Sequence, residues 1–501
     1  MRVCSFVLAA TLWGSTVTAQ PPQTSAADAS AAKARRAATA MDQGRFDEAA
    51  GIYRELVESM PDEGGLLMNL GMALAMGGHE DQAVAPLEKA VALKPQLIPA
   101  QMFLGSSYLA VGRAADAIAP LKRTVAARPS DIESRRMLAQ AYVETGRPKD
   151  AVAQLRAVTD LAPRVPGAWY ALGHAYNAVT QAAMQSFDDQ PEDSPWRQLL
   201  VADALLADGR LTDAFALQRA ALERLPAMVS IHDSIARIYD LTQHPDWAAT
   251  ERAKGALSPA ACARRKALCE FRAGHYGAAL AAANAGSDVE SRYWRARAAN
   301  ELALVAFKRL EELPDSRERR EVRATLAMSQ RRYTDAIAEL TAAMKFAPED
   351  PGLRDDLGTA YYSLREYEKA VEAFTPLLRA NPDDPRLLTL VGDSLLQLQR
   401  VDEALPLLRR AAERDQSDPM PRLALGRAYL QKGDFASAIP LIEAQLAGDH
   451  DGSLHVQLAR AYSGMGQKEK AEALLKQSQE IQQAAQERSA ATGQRTIEPP
   501  K

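Results

Sequence analysis

Residues 98–131 read IPAQMFLGSSYLAVGRAADAIAPLKRTVAARPSD, and the placement of a few small and cyclic residues in this stretch decides the fold. Gly105 falls midway along a first helical segment whose apolar members include Leu104 and Tyr108. Gly112 is placed to end that segment, because glycine adopts the left-handed backbone of a helix C-terminus without a Cβ penalty. Ala117 offers a second small face on the next helical segment, and Pro129 stops that segment from continuing. The stretch therefore reads as helix, turn, helix, with a close approach between the two helices. One such pair cannot bury its apolar face alone.

Outward from this stretch the same positions return at one fixed step. Gly44, Gly78, Gly112 and Gly146 share it, as do Ala49, Ala83, Ala117 and Ala151, and Pro61, Pro95, Pro129 and Pro163. Gly71, Gly105, Ala139 and Gly173 mark the middle of successive first helices, with Leu104, Leu138, Leu172 and Tyr108, Tyr142, Tyr176 filling the seams. The step returns in Ala336, Ala370, Ala404 and Ala438, and in Ala324, Gly358, Gly392 and Gly426. A period of this length marks a solenoid in which neighbouring helix pairs build one continuous core. Alanine is abundant and runs of β-branched residues alternating with polar ones are missing, so the expected class is all-α.

These positions carry a resemblance. Trp169-Tyr-Ala-Leu172-Gly173-His-Ala-Tyr176 resembles the first helix of a tetratricopeptide (TPR) unit, and Gly433-Asp-Phe435-Ala-Ser-Ala438 its turn and second helix. The resemblance covers units 30–63, 64–97, 98–131 and 132–165 with the helix after 166, then 317–350, 351–384, 385–418 and 419–451, and a final unit near 452–485. It implies an α-solenoid, or superhelix, of helix-turn-helix units, organised as an N-terminal array over 33–176 and a C-terminal array with a capping helix over 317–485. Between them, 177–316 reads as a divergent helical middle. Within it AYNAVTQAAMQSFDDQPEDS (175–194) lines up with AANELALVAFKRLEELPDS (298–316), which suggests a longer module built twice on an extended first helix. Two ordinary TPR helices with an altered turn, or an embedded domain of another kind, are the alternatives.

The ends read differently. Arg2, the apolar run Cys4–Trp13 and the small residues Val17-Thr18-Ala19 form the pattern of an export signal over 1–19, with cleavage after Ala19 and Gln20 as the new N-terminus. The apolar run is shorter than the roughly 20 residues that cross a bilayer. Residues 20–32 and 486–501 are expected to be disordered leader and tail. An uncleaved anchor, or a cytosolic chain with a chance apolar start, is the alternative to export, which would place the chain in the periplasm, in the cell envelope or outside the cell. There Cys262 and Cys269 are free to pair, provided the chain leaves the helix near 263–266, since seven residues of continuous helix would hold their Cα atoms about 10 Å apart.

At 501 residues, with Lys+Arg 60 against Asp+Glu 64, the chain has no basic excess of the kind that accompanies nucleic-acid binding. It has no HExxH, no CxxC pair, no GxSxG elbow and no phosphate-binding glycine loop, so no catalytic residue, metal ligand or cofactor is assigned. His450 and His455 flank the turn Asp449-His-Asp-Gly452, which reads as a solvated loop rather than a cation site. The acidic pairs Asp355/Asp356 and Asp383/Asp384 suit helix starts.

What remains is surface. The resemblance implies that first helices line a concave groove. On that basis Arg136, Gln140 and Glu144 stand beside Tyr170, His174 and Asn177, and a second line runs through Asp355, Thr359, Tyr362, Thr389, Asp393, Arg427 and Gln431. A polar helix face with no partner is the alternative for each group. Chaperone-binding members of the family carry Lys and Asn at set positions of the first unit, where this chain has Ala34 and Ala38, so a chaperone tail is not the expected ligand. The expectation is a non-catalytic scaffold that takes a partner peptide or helix in its groove. A small-molecule or glycan binder using the middle, or a TPR-fused glycosyltransferase or peptidase, are the other readings.

Overall fold

The computed structural model describes residues 26–493 and 496–500, and among these every regular element is helical. The export signal and its cleavage site lie outside the described residues. The chain divides into two compact units after Ala157.

The first unit holds α1 (Ala26–Asp42), α2 (Phe46–Ser59), α3 (Gly64–Met76), α4 (Glu80–Leu93), α5 (Ile98–Ala110), α6 (Ala114–Ala127), α7 (Ile132–Glu144) and most of α8 (Pro148–Leu161). Gly44, Gly78, Gly112 and Gly146 sit at the four turns with φ of +72°, +81°, +74° and +69°, the left-handed region that glycine enters freely. The mid-helix glycines have a different task. A Cβ on Gly71 or Gly105 would run into the side chain of Leu87 or Leu121, both fully buried on the second helix of the pair. Each leucine is a knob seated in a hole that only glycine leaves open. Its burial contributes roughly 1.5–3 kcal/mol. Helix begins at Ala26, inside the stretch expected to be a disordered leader, because the alanines and Lys33–Arg36 continue into the face that buries Ala37 and Ala40.

The second unit opens with α9 (Pro166–Gln185) and continues through α10 (Pro195–Ala207), α11 (Leu211–Arg224), α12 (Ser230–Leu241), α13 (Pro245–Lys254), α14 (Pro259–Arg264), α15 (Lys266–Arg272) and α16 (Tyr276–Asn284) to α17 (Val289–Glu311). The expected boundary at Asn177 falls inside α9. The Gly173 hole in α9 is filled by Phe307 of α17. In α3/α4 and α5/α6 the knob lies on the very next helix, Leu87 after Gly71 and Leu121 after Gly105. Here all of α10–α16 comes between the glycine and its knob. α9 and α17 are therefore first and second helix of one pair, with α10–α16 inserted between them. This corrects the expectation that 175–194 and 298–316 are two copies of a first helix. Their helical parts are alanine-rich and pack on each other.

The insertion is itself a branch of helix pairs, α10/α11, α12/α13 and α15/α16, around a core that includes Phe187, Phe215, Ile235, Tyr239, Tyr293 and Trp294. The first half of α17 belongs to that core and its second half to α9, so one helix serves both. Between α14 and α15 the chain leaves the helix at Arg265 (φ −116°, ψ 52°), which brings the Cα atoms of Cys262 and Cys269 to 5.6 Å in a disulfide.

Beyond α17 the regular array resumes: α18 (Arg317–Ser329), α19 (Tyr333–Ala343), α20 (Pro351–Ser363), α21 (Tyr367–Ala380), α22 (Pro385–Gln397), α23 (Val401–Arg414), α24 (Pro419–Lys432) and α25 (Phe435–Glu443), then α26 (Ser453–Gly464) and the capping helix α27 (Lys468–Gly493). Asp350, Asp384 and Asp418 cap α20, α22 and α24 by accepting hydrogen bonds from backbone amides, each followed by a proline at the first helical position. The tail also departs from expectation. Helix continues to Gly493, and Ile497 packs onto the branch core. No helix among the described residues is long and apolar enough to cross a membrane.

Candidate functional site

In the second unit the residues between the packing positions of successive first helices form a chain of polar contacts. Tyr170 and His174, one turn apart on α9, bring their rings to 4.3 Å, and His174 meets Phe307 edge-on at 5.4 Å. The Tyr170 hydroxyl faces Glu321 on α18. Burial, then Glu321, push the phenol well above its ordinary pKa. Arg317, a turn before Glu321, donates to it and also pairs with the Asp350 cap of α20 at 2.8 Å. Arg386 on α22 reaches back to Asp355 on α20. Tyr362 on α20 donates to Asp393 Oδ2 on α22 at 2.6 Å, and Arg427 on α24 approaches Asp393 Oδ1 at 3.2 Å. Contacts therefore run from α9 to α24 across first helices only, skipping the branch.

The electrostatics of this line follow from crowding. Protein packed around the His174 ring lowers its pKa against the pull of Glu321, although the residue keeps an exposed edge. Asp356 is also open to solvent, yet the protein around it, then Asp355 and Glu321, raise its pKa. Asp393 is buried, and its Oδ1, like Arg427 Nε, makes no hydrogen bond within the chain. The approach of Arg427 to Asp393 is thus an ion contact without hydrogen-bond geometry. Five carboxylates (Glu321, Asp350, Asp355, Asp356 and Asp393) face three guanidinium groups (Arg317, Arg386 and Arg427), so the surface is acid-rich.

The other sequence-derived positions take their places. Arg136, Gln140 and Glu144 lie exposed on α7 and are satisfied along their own helix, Arg136 by Glu133 at 3.2 Å and Gln140 by Glu144 at 2.9 Å. Asn177 is exposed on α9, Thr359 half-buried on α20, Gln431 exposed on α24, and the Thr389 hydroxyl is turned back to the Pro385 carbonyl. Glu321 and Arg317 were missed. One repeat step before Asp355 lands on Glu321, so the signal was present. The Asp449 turn holds His455 by a 2.6 Å hydrogen bond between side chains, and Asp451 caps Ser453. Among the described residues no group of His, Cys, Asp and Glu is arranged to hold a metal ion. Two open depressions, one walled by Arg409, Arg422 and Tyr429 and one by Arg323, Arg332 and Glu339, lie in the C-terminal array and not in 177–316.

Helix pairs with a glycine hole and an apolar knob, stacked so that first helices share a polar line, define an α-solenoid of the interaction-scaffold kind. Profiles described as tetratricopeptide repeat match residues 28–98 and 356–419, 108–175 and 395–455, and 452–484. The chain belongs to the tetratricopeptide-repeat family. Among solved structures it is similar to MamA from Desulfovibrio magneticus RS-1 (21% identity, 33% of this chain and 98% of that one, TM-score 0.28). MamA MSR-1 (25% identity, 34% and 98%, TM-score 0.30) and a further MamA structure (19%, 40% and 93%, TM-score 0.29) are similar at the same level. At such scores nothing about this chain's partners is taken from them. Among curated proteins no relative matches.

Proposed function

We propose that this chain is a non-catalytic scaffold of the periplasm or cell envelope that holds a peptide or helix of a partner protein along the first-helix line from Tyr170 to Arg427. The observation that carries the reading is the acid-rich line itself, where Asp356 stays open to solvent beside Asp355 and Glu321. The excess of carboxylates selects a segment bearing Lys or Arg, with Asp356 as the open acceptor. The internal contacts hold the surface in shape beforehand, so the partner alone pays the ordering entropy. The export pattern at the N-terminus and the Cys262–Cys269 disulfide both suit an oxidising compartment.

The test is capture from an envelope extract by the full chain beside its Asp393→Ala/Arg427→Ala and Asp356→Lys variants. A partner bound by wild type and lost by both variants, with unchanged circular dichroism, supports the reading. Equal capture by all three moves binding off this line. Sequencing the N-terminus of the exported chain should find Gln20; an intact Met1 in the cytoplasmic fraction would remove the compartment from the proposal.

A further inference from the structure

Thr496–Pro500 lie outside any helix, shortly past the end of α27, and they dock on the inserted branch. Ile497 packs against the buried core that holds Phe215, Tyr239 and Trp294. One residue on, the Glu498 carbonyl accepts a 2.6 Å hydrogen bond from the Tyr239 hydroxyl. Tyr239 is fully buried, its ring 5.7 Å from Phe215 on α11 and 5.5 Å from Trp247 on α13.

Comparison with the other seam tyrosines explains why a carbonyl is wanted there. Tyr108 donates to Glu88 and Tyr462 to Glu443. Both carboxylates stand five residues after the small alanine (Ala83, Ala438) of the preceding second helix. At Tyr239 the matching place, five residues after Ala214, holds Arg219, which has donors and no acceptor. Arg409 fills that place at Tyr429 and donates to the phenol oxygen, but Tyr429 is only half-buried and its proton can reach water. With the tail docked, the Tyr239 proton cannot. A buried phenol is stabilised by an acceptor, and the branch has none at the place that Glu88 and Glu443 hold, where the pairs of Tyr142 and Tyr176 likewise carry a base, Lys122 and Arg156.

We propose that the seam of α11, α12 and α13 is a docking site for an extended peptide, and that the chain's own Thr496–Pro500 is its resident ligand, held in cis and exchangeable. The chemistry it selects is a branched aliphatic side chain, a backbone carbonyl one residue later and a following proline pair. Pro499 and Pro500 stiffen the segment and lower the cost of ordering it. One side chain and one hydrogen bond make a weak contact, so occupancy depends on the tether to α27, which raises the local concentration.

The experiment uses the full chain and a labelled synthetic peptide of residues 496–501, followed by fluorescence anisotropy. Ile497→Glu releases the tail and leaves the site in place. The released variant should bind the peptide about tenfold more tightly than wild type, whose own tail competes. Adding Tyr239→Phe to that variant should weaken binding about three- to tenfold, the equivalent of one hydrogen bond. Equal binding by wild type and Ile497→Glu, or no binding by the released variant with unchanged circular dichroism, overturns the proposal. Light scattering on wild type should show a monomer; a dimer lost on Ile497→Glu substitution would overturn the in-cis arrangement.

Discussion

The pair α5/α6 and the pair α9/α17 solve one packing problem at two distances. In both, a second-helix side chain fills the space that a first-helix glycine leaves open, Leu121 over Gly105 and Phe307 over Gly173. In α5/α6 the chain closes the contact across a single turn, in α9/α17 only after the whole branch. Loop-closure entropy grows with the logarithm of length, so this roughly eightfold longer detour costs only about 2 kcal/mol more. The second pair offsets this with longer helices, 20 and 23 residues against 13 and 14. Their added overlap brings Arg292 onto the Ser186 carbonyl and Asp189, and Thr180 toward the Ala296 carbonyl. A repeat array can thus take up a whole branch between the two halves of one unit, provided the halves are extended to grip each other.

The comparison breaks if Phe307 is not the knob it resembles. Phe307→Ala should cost about 3 kcal/mol and Leu121→Ala about 3–4 kcal/mol, by lost burial and the cavity left behind. Hydrogen exchange separates them: the first should deprotect α9, α17 and the branch together, the second only α5 and its neighbours. A loss below about 1 kcal/mol for Phe307→Ala, under the range for an aromatic knob, would mean that the long helices grip by some other contact. Next in size is Arg292→Ala, which removes a charge-assisted hydrogen bond from the added overlap. It should cost about 1.5–3 kcal/mol in denaturant unfolding, with the α9/α17 contact and not the C-terminal array as the part that opens first.

The first unit was legible because each of its contacts lies within one period: step, turn glycine and knob can all be counted. The same counting extends to the C-terminal array and recovers Glu321. It fails at α9/α17, because periodicity records which residues are small or apolar and not which distant helix they meet. Tyr170 and Glu321 are neighbours only because α10–α16 loop out, and nothing local in either helix says so. The tail was opaque for another reason. Thr496–Pro500 has the composition of a loose end, and what orders it is a missing acceptor beside Tyr239, visible only when seam tyrosines are compared one by one.

The branch deviates from the array at the knob of its first pair, and this gives the third prediction. Gln218 on α11 occupies the place of Leu87, Leu121 and Phe374, opposite Ala202 of α10. It is fully buried, and neither its amide oxygen nor its nitrogen has a hydrogen-bond partner within the chain. Gln218→Leu restores the pattern and should stabilise the branch by about 1–2 kcal/mol in thermal unfolding. Destabilisation would show that the amide serves a ligand or a bound water.

The smallest effect lies at the turns, where the two arrays differ in kind. The first unit places glycine at each left-handed turn position. The C-terminal array places Arg331 (φ +56°), Arg365 (+65°) and Gln399 (+62°) before returning to Gly433 (+82°). A side chain held there costs about 1–2 kcal/mol, and glycine gives back about 0.5–1 kcal/mol in unfolded-state entropy. Arg331→Gly, Arg365→Gly and Gln399→Gly should each gain only about 0.5 kcal/mol, the difference of those two effects. The three turns belong to different pairs and share no partner, so the gains should add to about 1.5 kcal/mol. The reverse change, Gly78→Arg or Gly112→Arg in the first unit, should lose a similar amount. A triple variant that gains nothing would show that these side chains are held at the turns by contacts that offset their strain, and the two arrays would then differ in how they stabilise the turn as well as in which residue occupies it.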